Sequence, residues 1–186
     1  AVGYEILKDG ADPEDEKVAL KAAENLYQEL RQSSDPQRTL SDPVLKNDEN
    51  GAAASMVSQY QSVRDVLLDL QRTFATQVPA PYKGAVLDGR DIGTVICPEA
   101  DLKLFIKADL EIRAQRRTKE LQNEGKPVTY EAVLKDMHDR DKRDAGRKAA
   151  PMKPAEDAVT LDSSALMPED LLKTALKLFH DRVSGF

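Results

Sequence analysis

Three short apolar runs, separated by helical patterns, constrain the fold of this chain more than any other feature of its sequence. They are Ala85-Val86-Leu87, Leu102 to Ile106 and Ala158 to Leu161, and turn residues bound each run. Continuous apolar runs of this length are typical of buried strands in a parallel sheet with helical crossovers. The sequence therefore predicts an α/β protein. Sheets typically have roughly five strands, so further strands are either unrecognised or absent from this chain.

Helical periodicity and capping residues predict helices between and around these runs. Asp12, followed by Pro13, is predicted to cap a helix that runs to about Gln32. Ser62 is predicted to cap a second helix, and Thr129 another. Further helical patterns cover 51–60, follow Asp109 as far as Gly125-Lys126-Pro127, and start near Pro168.

Composition excludes several classes of protein and of site. No stretch approaches the roughly 18 apolar residues of a membrane span, and no signal peptide is visible, so we expect no membrane association. The single cysteine, Cys97, which we expect to be buried, excludes an intramolecular disulfide framework and indicates a reducing, cytoplasmic setting. The two histidines, His138 and His180, support no nucleophile–His–acid arrangement.

Charge is uneven along the chain, whose net charge is −6. Residues 103–153 carry 14 Lys/Arg against 9 Asp/Glu. A basic segment in an acidic protein is compatible with a local anionic ligand, and also with a solvated pair of charged helices. Nucleic-acid binding is disfavoured, because Tyr130 is the only aromatic residue between Phe105 and Phe179 and no stacking platform accompanies the basic segment.

The first cluster of polar residues follows the first apolar run. Asp88, Arg90 and Asp91 stand at the predicted carboxyl end of that strand, with Gly89 and Gly93 for tight turning. Ligands of open α/β sheets bind at this edge, and an arginine there can fork onto a phosphate. The alternative interpretation is a turn with a local Asp–Arg pair.

A second cluster lies in the basic segment. Arg140, Asp144 and Arg147 fall on one face of a predicted helix, where two arginines could clamp phosphates while the carboxylate accepts from a sugar hydroxyl. The alternative is a set of salt bridges on an exposed helix. Two weaker clusters accompany these: the first is Arg113, Arg116, Arg117 and Lys119, and the second is Ser55 with Arg64.

Together these clusters resemble the bacterial cytidylate (CMP) kinases over nearly the whole chain. The resemblance rests on strings that occur in one order: Ala53-Ala54-Ser55, Val63-Arg64, Gln71-Arg72, Leu87-Asp88-Gly89-Arg90-Asp91-Ile92-Gly93-Thr94-Val95, Cys97-Pro98-Glu99-Ala100-Asp101, Arg140-Asp141-Lys142-Arg143-Asp144 and Pro151-Met152-Lys153-Pro154-Ala155-Glu156-Asp157-Ala158.

The resemblance implies a fold and a reaction. The fold would be a three-layer, P-loop kinase-like parallel sheet flanked by helices, forming a single domain over 1–186. A CMP-binding region would lie at about 35–80 and a mobile lid at about 113–150. The reaction would transfer the γ-phosphoryl group of ATP, with Mg²⁺, to CMP or dCMP. We expect a cytoplasmic monomer whose partners are these small molecules.

The resemblance also implies roles for individual residues. Ser55, Arg64 and Asp91 would contact the cytosine, and Asp144 the sugar hydroxyls. Arg90, Arg140 and Arg147 would hold phosphates as the catalytic arginines, with Arg116 and Arg117 on the lid and ATP side. Such an inventory suits phosphoryl transfer, which needs positioning and charge stabilisation rather than a covalent nucleophile.

One family motif is absent from the sequence. No glycine of this chain belongs to a Gly-x-x-x-x-Gly-Lys-Ser/Thr phosphate-binding loop. We therefore expect an N-terminally truncated chain that lacks this loop and the first strands, and that is inactive as given. The competing hypothesis is a non-catalytic CMP-binding remnant that has lost the ATP site.

Overall fold

The computed structural model describes residues 1–33, 40–146 and 152–183. The chain divides into two compact units, Ala1–Val86 and Leu87–Phe186. The first unit is helical. Its α-helices are α1 (Val2–Lys8), α2 (Glu16–Gln32), α3 (Asp48–Val57) and α4 (Gln61–Thr76), and a 3₁₀ turn spans Pro43–Lys46.

Helix α2 begins three residues later than the sequence predicts. Its N-cap is Asp15, whose carboxylate accepts from the amides of Lys17 and Val18. The carboxylate of Asp12 instead accepts from the amide of Glu14 in a local turn before the helix. Both aspartates suit either role, because an Asp side chain bonds to backbone amides two or three residues ahead.

The start of α4 also differs from the prediction. Tyr60 is its N-cap residue, and Ser62 lies inside the helix rather than capping it. The Ser62 hydroxyl donates to the Glu16 carboxylate at 2.7 Å, and the Tyr60 hydroxyl donates to the carbonyl of Glu14 at 2.5 Å. The Ser62 hydroxyl, predicted to cap the helix, therefore bonds to a side chain on α2 instead.

The core of the first unit lies between these helices. It consists of Val2, Ile6, Ala19, Ala23, Leu26, Leu30, Val57 and Val63. Helices α1 and α3 approach closely at Gly3, where an added Cβ would lie 2.9 Å from both the Ala53 Cβ and the Ala54 nitrogen. The close approach fixes α3, which carries Ser55, against α1.

The second unit contains the sheet. Its elements are a π-helical turn (Ile92–Ile96), β1 (Leu104–Lys107), α5 (Leu110–Asn123), α6 (Tyr130–Gly146), β2 (Val159–Asp162) and α7 (Pro168–Arg182). Strands β1 and β2 pair in parallel, with Leu104 opposite Val159 and Lys107 opposite Asp162. The α/β class and the parallel pairing of the second and third apolar runs are thus confirmed.

The first apolar run is not a strand. Residues 85–87 have no sheet partner within the described parts of the chain, and Val86 is 97% exposed. A strand needs a neighbour to satisfy its backbone N–H and C=O groups, and among the described residues none pairs with 85–87. Asp88 is consequently an exposed acid in an irregular segment, so its prediction as a strand-end acid is wrong.

Helices α5 and α6 form a packed pair. Gly125, at φ +77°, ends the turn after α5, and the Thr129 hydroxyl accepts from the amide of Ala132 at the start of α6, as predicted. Ala114, Leu121 and Val133 are buried between the two helices.

Helix α7 follows β2. It begins at Pro168 as predicted, but Leu172 and Leu176 of its apolar stripe are 59% and 48% exposed. In the described ranges, no helix combines the length and the hydropathy that a membrane crossing requires.

Candidate functional site

The π-helical turn fixes the backbone at Asp91. The Asp91 carbonyl accepts from the amides of Thr94, Val95 and Ile96 at 3.3, 2.9 and 3.3 Å. The Thr94 hydroxyl donates to the same carbonyl at 3.3 Å. Asp91 is buried, at 6% exposure, whereas Arg90 beside it is exposed. The turn therefore holds a carboxylate inward and places a guanidinium next to it.

The two glycines of this segment serve close packing rather than tight turning. Neither Gly89 nor Gly93 has a positive φ. A Cβ at Gly89 would lie 2.9 Å from Ile92 Cγ1, and one at Gly93 would lie 3.2 Å from Lys103 Cδ. The predicted reason for these glycines is therefore wrong, because the constraint is space and not backbone conformation.

Arg90 reaches across the sequence to Asp144 on α6. Its Nε donates to Asp144 Oδ2 at 3.3 Å. The Asp144 side chain is 3% exposed and that of Arg90 is 43% exposed. A buried carboxylate requires a charged or hydrogen-bonding partner, and here one end of that pair stays open to solvent. The structure thus joins the two strongest motifs of the sequence.

The other predicted arginines of α6 differ in their placement. Arg140 lies one turn before Asp144 and is exposed. Arg147 lies outside the described residues. The carbonyl of Asp144 accepts from the amide of Met152 at 3.4 Å. Convergence of Arg90, Arg140 and Arg147 on one phosphate-binding pocket stays a prediction.

Arg116 holds the loop after β2. Its Nη2 donates to the carbonyls of Ser163, Ser164 and Leu166 at 2.7, 3.3 and 3.1 Å. Arg117, the next residue on α5, donates to the Glu120 carboxylate at 2.7 Å. Their assignment to the lid and ATP side stays a prediction.

A bidentate ion pair joins α5 to α6. Arg113 Nη1 and Nη2 donate to Asp141 Oδ1 and Oδ2 at 3.2 and 2.6 Å, and Arg113 Nε donates to the carbonyl of Ala108 at 3.0 Å. The guanidinium thereby connects the end of β1, α5 and α6, close to Asp144. Arg113 stood in a basic cluster of the sequence, but no signal there identified Asp141 as its partner.

A second ion pair joins the residue before β1 to the segment before β2. Lys103 Nζ donates to both carboxylate oxygens of Asp157, at 2.8 and 2.7 Å. The hydrogen bond from Lys103 lowers the pKa of Asp157, and a hydrogen bond from Ser164 lowers the pKa of Asp162 in the same way. No local signal in the sequence predicts either pairing.

Ser55 and Arg64 lie in the first unit and share a neighbour there. Ser55 is buried on α3, and Arg64 is half-buried on α4. Arg64 Nη1 donates to the carbonyl of Ser58 at 3.4 Å, while the Ser58 hydroxyl donates to the carbonyl of Ser55 at 2.9 Å. The end of α3 therefore links the two predicted cytosine contacts.

The cytidylate kinase family model matches residues 1–181 of this chain. The chain belongs to the cytidylate kinase family.

Curated cytidylate kinases are similar to it over most of their length. The cytidylate kinase of Rhodospirillum rubrum is 51% identical over 178 residues, which cover 96% of this chain and 79% of the relative. That of Paramagnetospirillum magneticum is 47% identical over 95% of the chain and 79% of the relative. That of Rhodopseudomonas palustris strain HaA2 is 47% identical over 96% and 78%.

Two residue types complete the description of this cytidylate kinase family member. Cys97 directly follows the π-helical turn and is half-buried, more exposed than the sequence predicts. Over 1–33, 40–146 and 152–183, no three His, Cys, Asp or Glu side chains converge as ligands for a metal ion.

Proposed function

We propose that this protein transfers the γ-phosphoryl group of ATP to CMP or dCMP, giving ADP and CDP or dCDP. The observation that carries the proposal is the contact between Arg90 and the buried Asp144, beside the buried Asp91, in a chain of the cytidylate kinase family. Each of these groups has a chemistry that a nucleoside monophosphate needs.

The arginines hold phosphate in this proposal. Arg90, Arg140 and Arg147 neutralise the α-phosphate of CMP and the charge that develops on the transferred group. Arginine suits this role better than lysine, because its planar fork binds two phosphate oxygens at once. Arg90 has an exposed side chain that one carboxylate already orients, so a phosphate can add to an existing geometry.

The acids and the remaining polar groups recognise the nucleoside. Asp144 accepts from the sugar hydroxyls, and Asp91, Arg64 and Ser55 contact the cytosine. A carboxylate that accepts from the cytosine amino group loses this donor with uracil, whose carbonyl stands in that place. Such a mismatch costs about 1–3 kcal/mol.

The proposal also assigns a nucleotide-binding region and a lid to two longer stretches of the chain. Residues at about 35–80 form the CMP-binding region, and those at about 113–150 form a lid that carries Arg116 and Arg117 on the ATP side. We propose a monomer acting on small molecules in the cytoplasm. Magnesium arrives with ATP as part of the substrate, since Mg²⁺ is commonly bound through the phosphates of the nucleotide.

The polypeptide of residues 1–186 is expected to bind CMP without transferring phosphate. Its sequence holds no Gly-x-x-x-x-Gly-Lys-Ser/Thr loop, whose backbone amides and lysine hold the ATP phosphates in P-loop enzymes. The alternative function, a CMP-binding module without ATP chemistry, leads to the same expectation for residues 1–186. One experiment distinguishes the two functions.

The experiment compares two polypeptides. Residues 1–186 are titrated with CMP, dCMP and UMP by calorimetry and assayed for CMP-dependent ADP formation. The same measurements are made after a P-loop segment from a family relative is joined ahead of Ala1. We expect CMP binding by both and turnover by the extended polypeptide alone. No CMP binding by either rejects the proposed function, and binding without turnover in the extended form favours the binding module.

A further inference from the structure

Lys103 is a largely buried cation next to the first residue of β1. Its side chain is 9% exposed, and its ammonium group donates to both oxygens of Asp157 at 2.8 and 2.7 Å. An ammonium group removed from water needs such a partner. The two contacts to one carboxylate fix where the end of this long side chain lies.

The stem of Lys103 lies against the π-helical turn. A Cβ added to Gly93 would stand 3.2 Å from Lys103 Cδ and 3.4 Å from Cγ. Glycine permits this approach, and the turn it belongs to positions Asp91 and Arg90. The aliphatic part of Lys103 therefore supports the backbone on which these two residues stand.

Both partners of this pair are anchored by backbone carbonyls, Lys103 to the sheet and Asp157 to α7. The carbonyl of Lys103 accepts from the amide of Val159 at 2.9 Å, at the start of the β1–β2 ladder. Asp157 lies two residues before Val159, and its carbonyl accepts from Arg182 Nη1 at 3.4 Å. The Lys103–Asp157 pair thus connects a rigid element to the turn, as groups that orient an active residue do.

We propose that Lys103 is a positioning residue, which holds the Gly89–Ile96 segment against the sheet so that Asp91 and Arg90 are set for the nucleotide. This inference rests on the proposed function, in which Asp91 contacts cytosine and Arg90 contacts phosphate. Lys103 itself touches no substrate in it, and its effect passes through Gly93.

The same strand offers a matched control. Lys107, at the other end of β1, pairs with Asp162 at 3.4 Å. Both side chains are about half exposed, at 55% and 51%. The substitution Lys107→Met therefore removes a lysine charge from an exposed position at the far end of β1, away from the turn.

The experiment measures the turn and the nucleotide separately. Hydrogen exchange at the amides of Thr94, Val95 and Ile96 reports opening of the bonds to the Asp91 carbonyl. Calorimetry with CMP and UMP reports affinity and base discrimination. Both are recorded for the wild type, Lys103→Met, which keeps the stem, and Lys107→Met. Asp157→Asn is the second variant if Lys103→Met does not fold, because its side chain is 60% exposed.

We expect Lys103→Met and Asp157→Asn to speed exchange at the three amides by roughly tenfold. We also expect them to weaken CMP binding about tenfold, the effect typical of removing a group that orients a ligating residue. UMP binding falls less, because UMP does not use Asp91 as an acceptor. Lys107→Met should leave both measurements at the wild-type values.

Two results overturn the inference: unchanged exchange in the Lys103 and Asp157 variants, or faster exchange with unchanged CMP affinity. An equal effect of Lys107→Met also overturns it, because general weakening of the sheet then explains the data. A wild type that binds no CMP rejects the proposed function and the nucleotide part of this inference, and the exchange comparison still decides whether Lys103 supports the turn.

Discussion

Substitution of Gly3 by alanine tests the close contact between α1 and α3. The new methyl carbon would meet Ala53 Cβ and the Ala54 nitrogen at 2.9 Å and the Ala53 carbonyl carbon at 3.1 Å. Two of these atoms belong to the backbone of α3, so no flexible side chain can move aside. The helices must separate, and α3 moves together with Ser55.

The size of the effect follows from a comparison within the same unit. Alanine is a better helix former than glycine by roughly 1 kcal/mol, and overpacking a close contact costs about 1–3 kcal/mol. Gly51, inside α3, has nothing within 4 Å of an added Cβ. To first order, Gly51→Ala gains only the stabilisation from the better helix former. Gly3→Ala has the same gain and also the overpacking cost, so the free energies of unfolding of the two variants should differ by about 1–3 kcal/mol.

The assay is urea unfolding of both variants beside the wild type, followed by far-UV circular dichroism. Gly51→Ala should be slightly more stable than the wild type, and Gly3→Ala clearly less stable than Gly51→Ala. In thermal melts each kcal/mol corresponds to roughly 2–4 °C for a protein of this size. If Gly3→Ala is as stable as Gly51→Ala, the helices do not touch at this point and the argument fails.

Three further predictions concern the second unit. Asp91→Ala should weaken CMP binding by about 1–3 kcal/mol more than UMP binding, and equal losses in calorimetry refute the cytosine contact. Arg90→Met should weaken CMP binding more than cytidine binding, which is affected only through Asp144, and equal losses for the two ligands contradict a phosphate role. Because Lys103 lowers the pKa of Asp157 in the folded state, their pair stabilises the protein above the ordinary carboxyl pKa of about 4 and loses its effect as pH falls through the lowered value. Asp157→Asn should therefore be less stable than the wild type at pH 7 and lose that difference in acid, and a gap that persists in acid denaturation measurements speaks against the pair.

Local signals in the sequence predicted most of the elements of the second unit. The apolar runs located β1 and β2 to within two residues, and Thr129 and Gly125 marked real helix boundaries. These features depend on neighbours a few positions away, which a single sequence displays directly.

Residues 85–87 show where such reasoning fails. Their composition favours a strand, yet a strand exists only if another strand lies beside it, and that information is not local. The same limit applies to the Lys103–Asp157 pair. Lys103 lies within one apolar run and Asp157 precedes another, and only the register of β1 against β2 brings them together.

The residues of the candidate site were predictable from the sequence, whereas their contacts were not. Residue type and order identified Arg90, Asp91 and Asp144, and their burial and mutual contact required the tertiary structure. The only sequence signal of the contact between Lys103 and Gly93 is the glycine itself. The sequence predicts a tight turn at this glycine, whereas the structure shows close packing against the lysine side chain.

The irregular segment between α4 and the π-helical turn separates the proposed cytosine contacts Ser55 and Arg64 from all the other assigned residues. Around Tyr82 and Lys83 this segment is exposed, and it lies outside both hydrophobic clusters. Such a place is where proteases nick a chain and where a polypeptide tolerates being opened. Limited proteolysis is therefore expected to cut the chain first in this segment, which leaves α1 to α4 in one fragment and the β1–β2 sheet in the other.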